Sequence, residues 1–147
     1  MEQLVSEGEY TLPDVDQSIL DLFEAGYATE VETSAEIKRV YEASDYIEDP
    51  HTAVASAVYQ KYAERTGDKT PTVIASTASP YKFPRVAVEA VSGQAPADDF
   101  VAVKELEKLS GVAIPKAVNG LETAEVRHKT VVATGDMQKA VENYLGL

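Results

Sequence analysis

Thr72-Val-Ile-Ala-Ser-Thr-Ala-Ser-Pro-Tyr-Lys-Phe-Pro-Arg85 joins an apolar, β-branched run to a polar turn and then to a basic helix start. Thr72 to Ser76, bounded by Pro71 and by the turn, has the composition of a buried parallel strand. Phe83 to Val91 reads as the helix that follows it. Upstream, Val54, Val58 and Tyr62 fall on one helical stripe that closes at Gly67. Residues 49–93 are therefore predicted to run helix, strand, helix, and that alternation argues for the α/β class: a helix-rich three-layer arrangement around a short, mainly parallel sheet.

Working outward from this stretch, Met1, Leu4 and Val5 share a helical face with Gly8 as C-cap, so the chain reads as starting inside a helix rather than at a natural beginning. Pro13 suits the first turn of a helix with Ile19, Leu20 and Phe23 on its apolar face, ending before Gly26. Gly26 to Val31 fits a strand or a loop. Thr33 and Glu36 match a capping box for a helix carrying Ile37, Val40 and Tyr41, which the Asp49-Pro50 pair stops. Beyond Gln94 to Ala97, a linker, Asp98 or Asp99 caps a helix with Val103, Leu106 and Leu109 that ends at Gly111. Ile114-Pro-Lys is a loop, Lys129 to Ala133 a last strand, and Asp136 caps a helix with Met137, Val141, Tyr144 and Leu145. There is no internal repeat and no low-complexity segment.

With 147 residues, one domain with a real core is expected. Cysteine is absent and histidine is limited to His51 and His128, which leaves no thiolate site and makes a structural metal a poor expectation. The net charge of −12 is unevenly spread: residues 1–49 hold 14 acids against Lys38 and Arg39, while acids and bases balance over residues 50–147. Such an acidic face repels nucleic-acid backbone and anionic lipid, so neither is an expected partner. It equally reads as a solvated helical surface. No apolar run approaches the roughly 20 residues that span a bilayer, and the start is acidic, so a cytoplasmic protein is expected.

Inside the quoted stretch the acids vanish. Between Lys69 and Val88 there is no Asp or Glu, while Lys69, Lys82 and Arg85 remain. A local positive island on an acidic protein suits an anionic ligand such as a phosphate ester. Ser76 and Thr77 end the expected strand, where ligands gather in parallel α/β sheets; both hydroxyls would equally serve to satisfy backbone groups at a strand end. Lys82 reads either as a point charge for phosphate or as a solvent-facing lysine at a helix start. Asp49 beside His51 has the composition of an acid–base pair, yet Asp49 and Thr52 flank a helix start, where oxygens cap orphan N–H groups.

Taken with Asp49-Pro-His-Thr-Ala-Val-Ala55 and Thr66-Gly-Asp-Lys-Thr-Pro-Thr72, the quoted stretch resembles the C-terminal part of the threonine synthase family, with the three motifs in family order and spacing. The resemblance implies a pyridoxal-phosphate enzyme of the tryptophan synthase β type that converts O-phosphohomoserine and water to threonine and phosphate. It covers most of this chain and about a third of such an enzyme. By this resemblance residues 1–147 form one C-terminal segment of the larger pyridoxal-phosphate-binding domain: an acidic helical part (1–48), the helix–strand–helix unit with the cofactor-edge motif (49–93), and C-terminal helices with a last strand (94–147).

The resemblance also implies roles. Thr77, with Ser76 second, would hydrogen-bond the unprotonated pyridine nitrogen of the cofactor, moderating its electron sink. Lys82 becomes the candidate for the substrate phosphate and His51 a pocket-lining candidate. Family members usually read Thr-Ala-His-Pro-Ala-Lys-Phe where this chain has Thr77-Ala-Ser-Pro-Tyr-Lys-Phe83, so Ser79 replaces a histidine and Tyr81 an alanine, and no proton-carrying role passes to Ser79. The glycine-rich phosphate loop is missing, since the two closest glycines, Gly111 and Gly120, are nine apart. The Schiff-base lysine follows a different motif upstream. No lysine here is assigned as catalytic, and tight cofactor binding by this chain alone is not expected. Its complement would be the N-terminal remainder of the same enzyme, and apolar patches normally covered by that remainder would let the segment self-associate. The alternatives are a free-standing, non-catalytic binding domain descended from such an enzyme, and a generic phosphate-ester binder using Lys82 and Arg85.

Overall fold

The computed structural model describes residues 2–10 and 21–147, which fall into two units, residues 1–113 and 114–147. In the first unit, helices α1 (Glu2–Glu7), α2 (Glu30–Ser44), α3 (Pro50–Thr66), α4 (Pro84–Ser92) and α5 (Asp99–Ser110) are joined by loops and one 3₁₀ turn, Pro80–Lys82. The second unit carries two 3₁₀ turns and α6 (Met137–Leu145). The helix expected after Pro13 lies almost wholly outside the described residues.

Local chemistry accounts for the helix ends. Thr29 caps α2 in a reciprocal box: its hydroxyl accepts from the Glu32 N–H, and the Glu32 carboxylate accepts from the Thr29 N–H at 2.7 Å. The box is therefore Thr29 with Glu32, four residues ahead of the expected Thr33 with Glu36. Asp49 caps α3, with Pro50 in the first turn, where its missing N–H costs nothing. Asp98 caps α5, accepting from the N–H groups of Phe100 and Val101 at 2.8 and 2.9 Å. Asp136 stands ahead of α6, but its side chain makes no capping bond.

α2 packs on α3 and on α4, and α4 packs on α5. The core between them is built from Ile37 of α2, Ala53 and Ala57 of α3, Ala87 and Val88 of α4, and Ala102, Val103 and Leu106 of α5. The buried face of α3 is Thr52, Ala53, Ser56 and Ala57, one step around the helix from the expected stripe; Val54 is exposed and Val58 and Tyr62 are half-buried. Those two flank a second contact. The segment Glu24–Tyr27 lies along α3, held by Arg65 bonded to Glu24 and by Lys61, which donates to the Tyr27 carbonyl at 3.1 Å and pairs with Glu32 at 2.7 Å. Gly26 is the point of closest approach: a Cβ there would stand 2.7 Å from a Val58 methyl.

The expected α/β architecture with its short parallel sheet is not what forms. Among the described residues there is no strand: Thr72–Ser76 and Lys129–Ala133 carry no regular secondary structure, and the first unit is helix packed on helix. β-Branched side chains favour extended backbone. A strand also requires a ladder of hydrogen bonds to a neighbour. No ladder is made here, and Val73, read as buried, is 95% exposed.

Candidate functional site

Two segments distant in sequence meet at the start of α3. The first is the turn Asp49–Thr52. Its centre is the Asp49 carboxylate, fully buried. Oδ1 accepts from the His51 N–H at 3.0 Å and the Thr52 N–H at 3.5 Å, and lies 3.1 Å from His51 Nδ1. The Thr52 hydroxyl donates to Oδ2 in a short bond. Burial pushes the Asp49 carboxyl up, but the bonds from Thr52 and His51 together outweigh it, and the group titrates below its ordinary value. Asp49 is thus an ionised cap, as its position at a helix start implies, and it also touches the histidine.

That contact settles the imidazole. Facing a carboxylate that only accepts, Nδ1 carries the proton, so in the neutral ring Nε2 is the acceptor. The His51 side chain is about two-thirds exposed, and its ring packs against Phe83 with centroids 5.0 Å apart and tilted by 57°. The Lys82 ammonium lies 5.6 Å from the centre of the same Phe83 ring. Phe83 is therefore a shared platform for His51 and Lys82, a role its place in the sequence did not reveal.

The second segment is Ser76-Thr77. Ser76 Oγ is 3.1 Å from Thr52 Oγ1, a contact across 24 positions of sequence. Thr52 has one hydroxyl proton, already given to Asp49, so Ser76 must be the donor in this second bond. The proton order runs Ser76 to Thr52 to Asp49. Ser76 is left with lone pairs to offer and no proton, whereas the hydroxyl of the exposed Thr77 enters no hydrogen bond among the described residues.

Beyond Thr77 the two departures from the resembled motif have structural roles. Ser79 caps the 3₁₀ turn, accepting from the Tyr81 N–H at 3.3 Å. Tyr81 is 5% exposed, and its hydroxyl donates to the Val112 carbonyl at 2.5 Å. Gly111 closes α5 and Gly120 precedes a three-residue 3₁₀ turn, so neither opens an α-helix. Among the described residues no group of acids and histidines could hold a metal, and no helix is long and apolar enough to cross a membrane.

Beneath the turn lies a polar cluster that the sequence reading did not single out. Glu36 accepts two bonds from Arg39, both at 2.7 Å, and one from the Ser56 hydroxyl at 2.5 Å. Arg39 foremost holds the Glu36 carboxyl below its usual range. The legible signals were Ser56, one turn after Thr52 on the same face, and the three-residue spacing of Glu36 and Arg39.

The family model described as "Threonine synthase, C-terminal" matches residues 52–144. Threonine synthase of Saccharomyces cerevisiae is 33% identical over 136 residues, which cover 85% of this chain and 26% of the yeast protein. Human threonine synthase-like 1 is 44% identical over 70 residues, 47% of this chain and 9% of the human one. The chain thus spans about a quarter of the yeast relative's length and less than a tenth of the human relative's.

Proposed function

Because this chain belongs to the threonine synthase family, we propose that it forms the ring-nitrogen side of a pyridoxal 5'-phosphate site and takes part in the conversion of O-phosphohomoserine and water to threonine and phosphate. The observation that carries this reading is the Ser76–Thr52–Asp49 hydrogen-bond chain. It joins two of the motifs on which the family resemblance rests, placing the Asp-Pro-His-Thr turn beside the Ser-Thr pair.

The fit to the cofactor is one-sided. A neutral pyridine nitrogen needs a donor, and the proton order makes Thr77 the hydroxyl with a proton to give. Ser76, committed to Thr52, holds the backbone of that edge in place. A hydroxyl donor leaves the ring without the full positive charge a carboxylate partner would favour. The cofactor, when bound, supplies the sink for electrons released at the substrate carbons. Lys82 brings positive charge for the substrate phosphate, and Phe83 keeps it beside His51. His51, its Nε2 facing outward as an acceptor, lines the same edge. The glycine-rich cradle and the Schiff-base lysine belong to the remainder of the enzyme, the natural partner of this segment. We place the complete enzyme in the cytoplasm, in threonine biosynthesis.

The test is threonine and phosphate release from O-phosphohomoserine by the natural protein that carries this chain. Activity is expected, with Thr77→Val lowering kcat about tenfold, the scale of one hydrogen bond in a site, and Ser76→Ala doing less. A protein inert toward this substrate overturns the reading. The 147-residue chain alone, given the same mixture, is expected to be silent; turnover there would show that it lacks no essential group.

A further inference from the structure

Glu48 stands in the turn between α2 and α3, immediately before the Asp49 cap. The residue is 6% exposed, and its Oε2 is enclosed without a hydrogen-bond partner among the described residues. A buried carboxylate in that position is costly unless paired or protonated.

The surrounding charges show why pairing fails. From α2, Glu36 and Arg39 face the site, and Arg39 spends its hydrogen bonds on Glu36. From the turn itself comes Asp49, already satisfied by Thr52 and His51. From α3 comes Ser56, which does not titrate and which donates to Glu36. Glu36 and Glu48 draw on the same guanidinium, whose hydrogen bonds go to Glu36, and Ser56, which also acts on Glu48, gives its proton to Glu36. Burial foremost, then the charge of Glu36, and with them that of Asp49, lift the Glu48 carboxyl to about 6, against the opposing pull of Arg39 and Ser56.

We propose that Glu48 is held protonated in the folded unit under mildly acidic conditions, and that loss of this proton as the solution turns neutral loosens the turn that sets Asp49, His51 and Thr52 in place. Ionised Glu48 would be a buried anion between two others. Its escape to water is blocked while the turn is closed, since the side chain is enclosed and the next residue is anchored as the α3 cap. Relief therefore requires the turn to move, and His51 and the Thr52 link to Ser76 move with it. Glu48 is a positioning residue in this scheme; it touches no ligand. The inference concerns the chain itself and stands apart from the enzymatic reading.

The sign is fixed by linkage. A carboxyl raised above its unfolded value binds more protons in the folded state, so stability falls as pH rises through the window between the ordinary value of 4.5 and about 6. Between about pH 5 and about pH 7.5 the unfolding constant should rise about tenfold from this group. The experiment is an NMR titration of the ¹³C,¹⁵N-labelled chain, with urea unfolding at both pH values. Expected are a Glu48 carboxyl carbon with its midpoint near 6, Thr52 and Ile47 amides that move with that midpoint, and an E48Q chain in which those amides stay at their low-pH positions and the tenfold change is absent. E48Q leaves every other titratable group in place, so the difference between the two chains belongs to Glu48. Titration of Glu48 in the ordinary carboxylate range overturns the proposal. So do amides that move alike in the wild type and E48Q. Should E48Q not fold, the wild-type carboxyl titration and the direction of the pH dependence still decide.

Discussion

The two halves of the candidate site are built in opposite ways. The turn Asp49–Thr52 is closed on itself: a fully buried carboxylate accepts from two backbone N–H groups and a hydroxyl within three residues. The segment Thr72–Thr77 has no regular secondary structure and is largely exposed, with no strand partner and one side-chain link, Ser76 to Thr52, to the turn. The difference teaches that a short chain can complete the parts of a site whose partners are near in sequence. Parts that require a lateral neighbour form no ladder without one. On the proposed reading that neighbour is the rest of the enzyme.

The strongest way to break the comparison is Asp49→Ala. It removes a helix cap and leaves several donors unpaired in a buried place, for an expected loss of about 3 kcal/mol in urea unfolding. A loss under about 1 kcal/mol would mean that the turn is no better determined than the segment Thr72–Thr77. Glu36→Ala, on the same side, should cost about 2 kcal/mol, less than Asp49→Ala because half-exposed Arg39 can turn to water. Acid separates the halves without mutation. The folded Asp49 and Glu36 carboxyls both titrate below their ordinary values of 3.8 and 4.5. Their stabilisation is therefore complete above those values and is lost as pH falls through the lower, folded ones. Thr52 and Ser56 amide protection should collapse in that acid limb, while Val73 is expected to show little protection at any pH. Ser76→Ala tests the link itself, at about 1 kcal/mol or less, and a double-mutant cycle with Thr52→Val should return a coupling of about 0.5–1 kcal/mol. Val73→Thr, at an exposed position, should fall within about 0.5 kcal/mol of the parent; a larger loss would show that this segment already packs against something.

The same contrast governs what could be read from sequence. α3 and α5 announced themselves through short-range signals: Asp caps, Gly67 and Gly111 at helix ends, and the Val103–Leu106 spacing. The capping box of α2 was misplaced because Thr33 and Glu36 repeat, four residues on, the pattern that Thr29 and Glu32 satisfy. The stripe on α3 was misassigned because its buried face is made of Ala53, Ala57, Thr52 and Ser56, which carry less apolar weight than Val58 or Tyr62 while allowing close approach to α2. The sheet failed for a different reason. Thr72–Ser76 has the side chains of a strand, but side-chain composition reports preference for extension and says nothing about whether a partner is present. The candidate residues Thr77, Ser76, Lys82 and His51 were named through family motifs, whereas Phe83 as a platform and Glu48 as a buried acid emerge only when helices are packed.

Tyr81 has a practical consequence in optics. The chain contains no tryptophan, so its ultraviolet signals come from tyrosines, and Tyr81 is sealed in the interior with its hydroxyl bound to a main-chain carbonyl. Burial pushes its ionisation above 10, which delays the absorbance change of a phenolate relative to an exposed ring. In an alkaline difference spectrum, Tyr81 should be a late-ionising component that appears only as the 3₁₀ turn separates from the end of α5. The aromatic ring that occupies the place of a small residue in the resembled motif thereby gives the folded edge beside Thr77 a colourimetric reporter of its own.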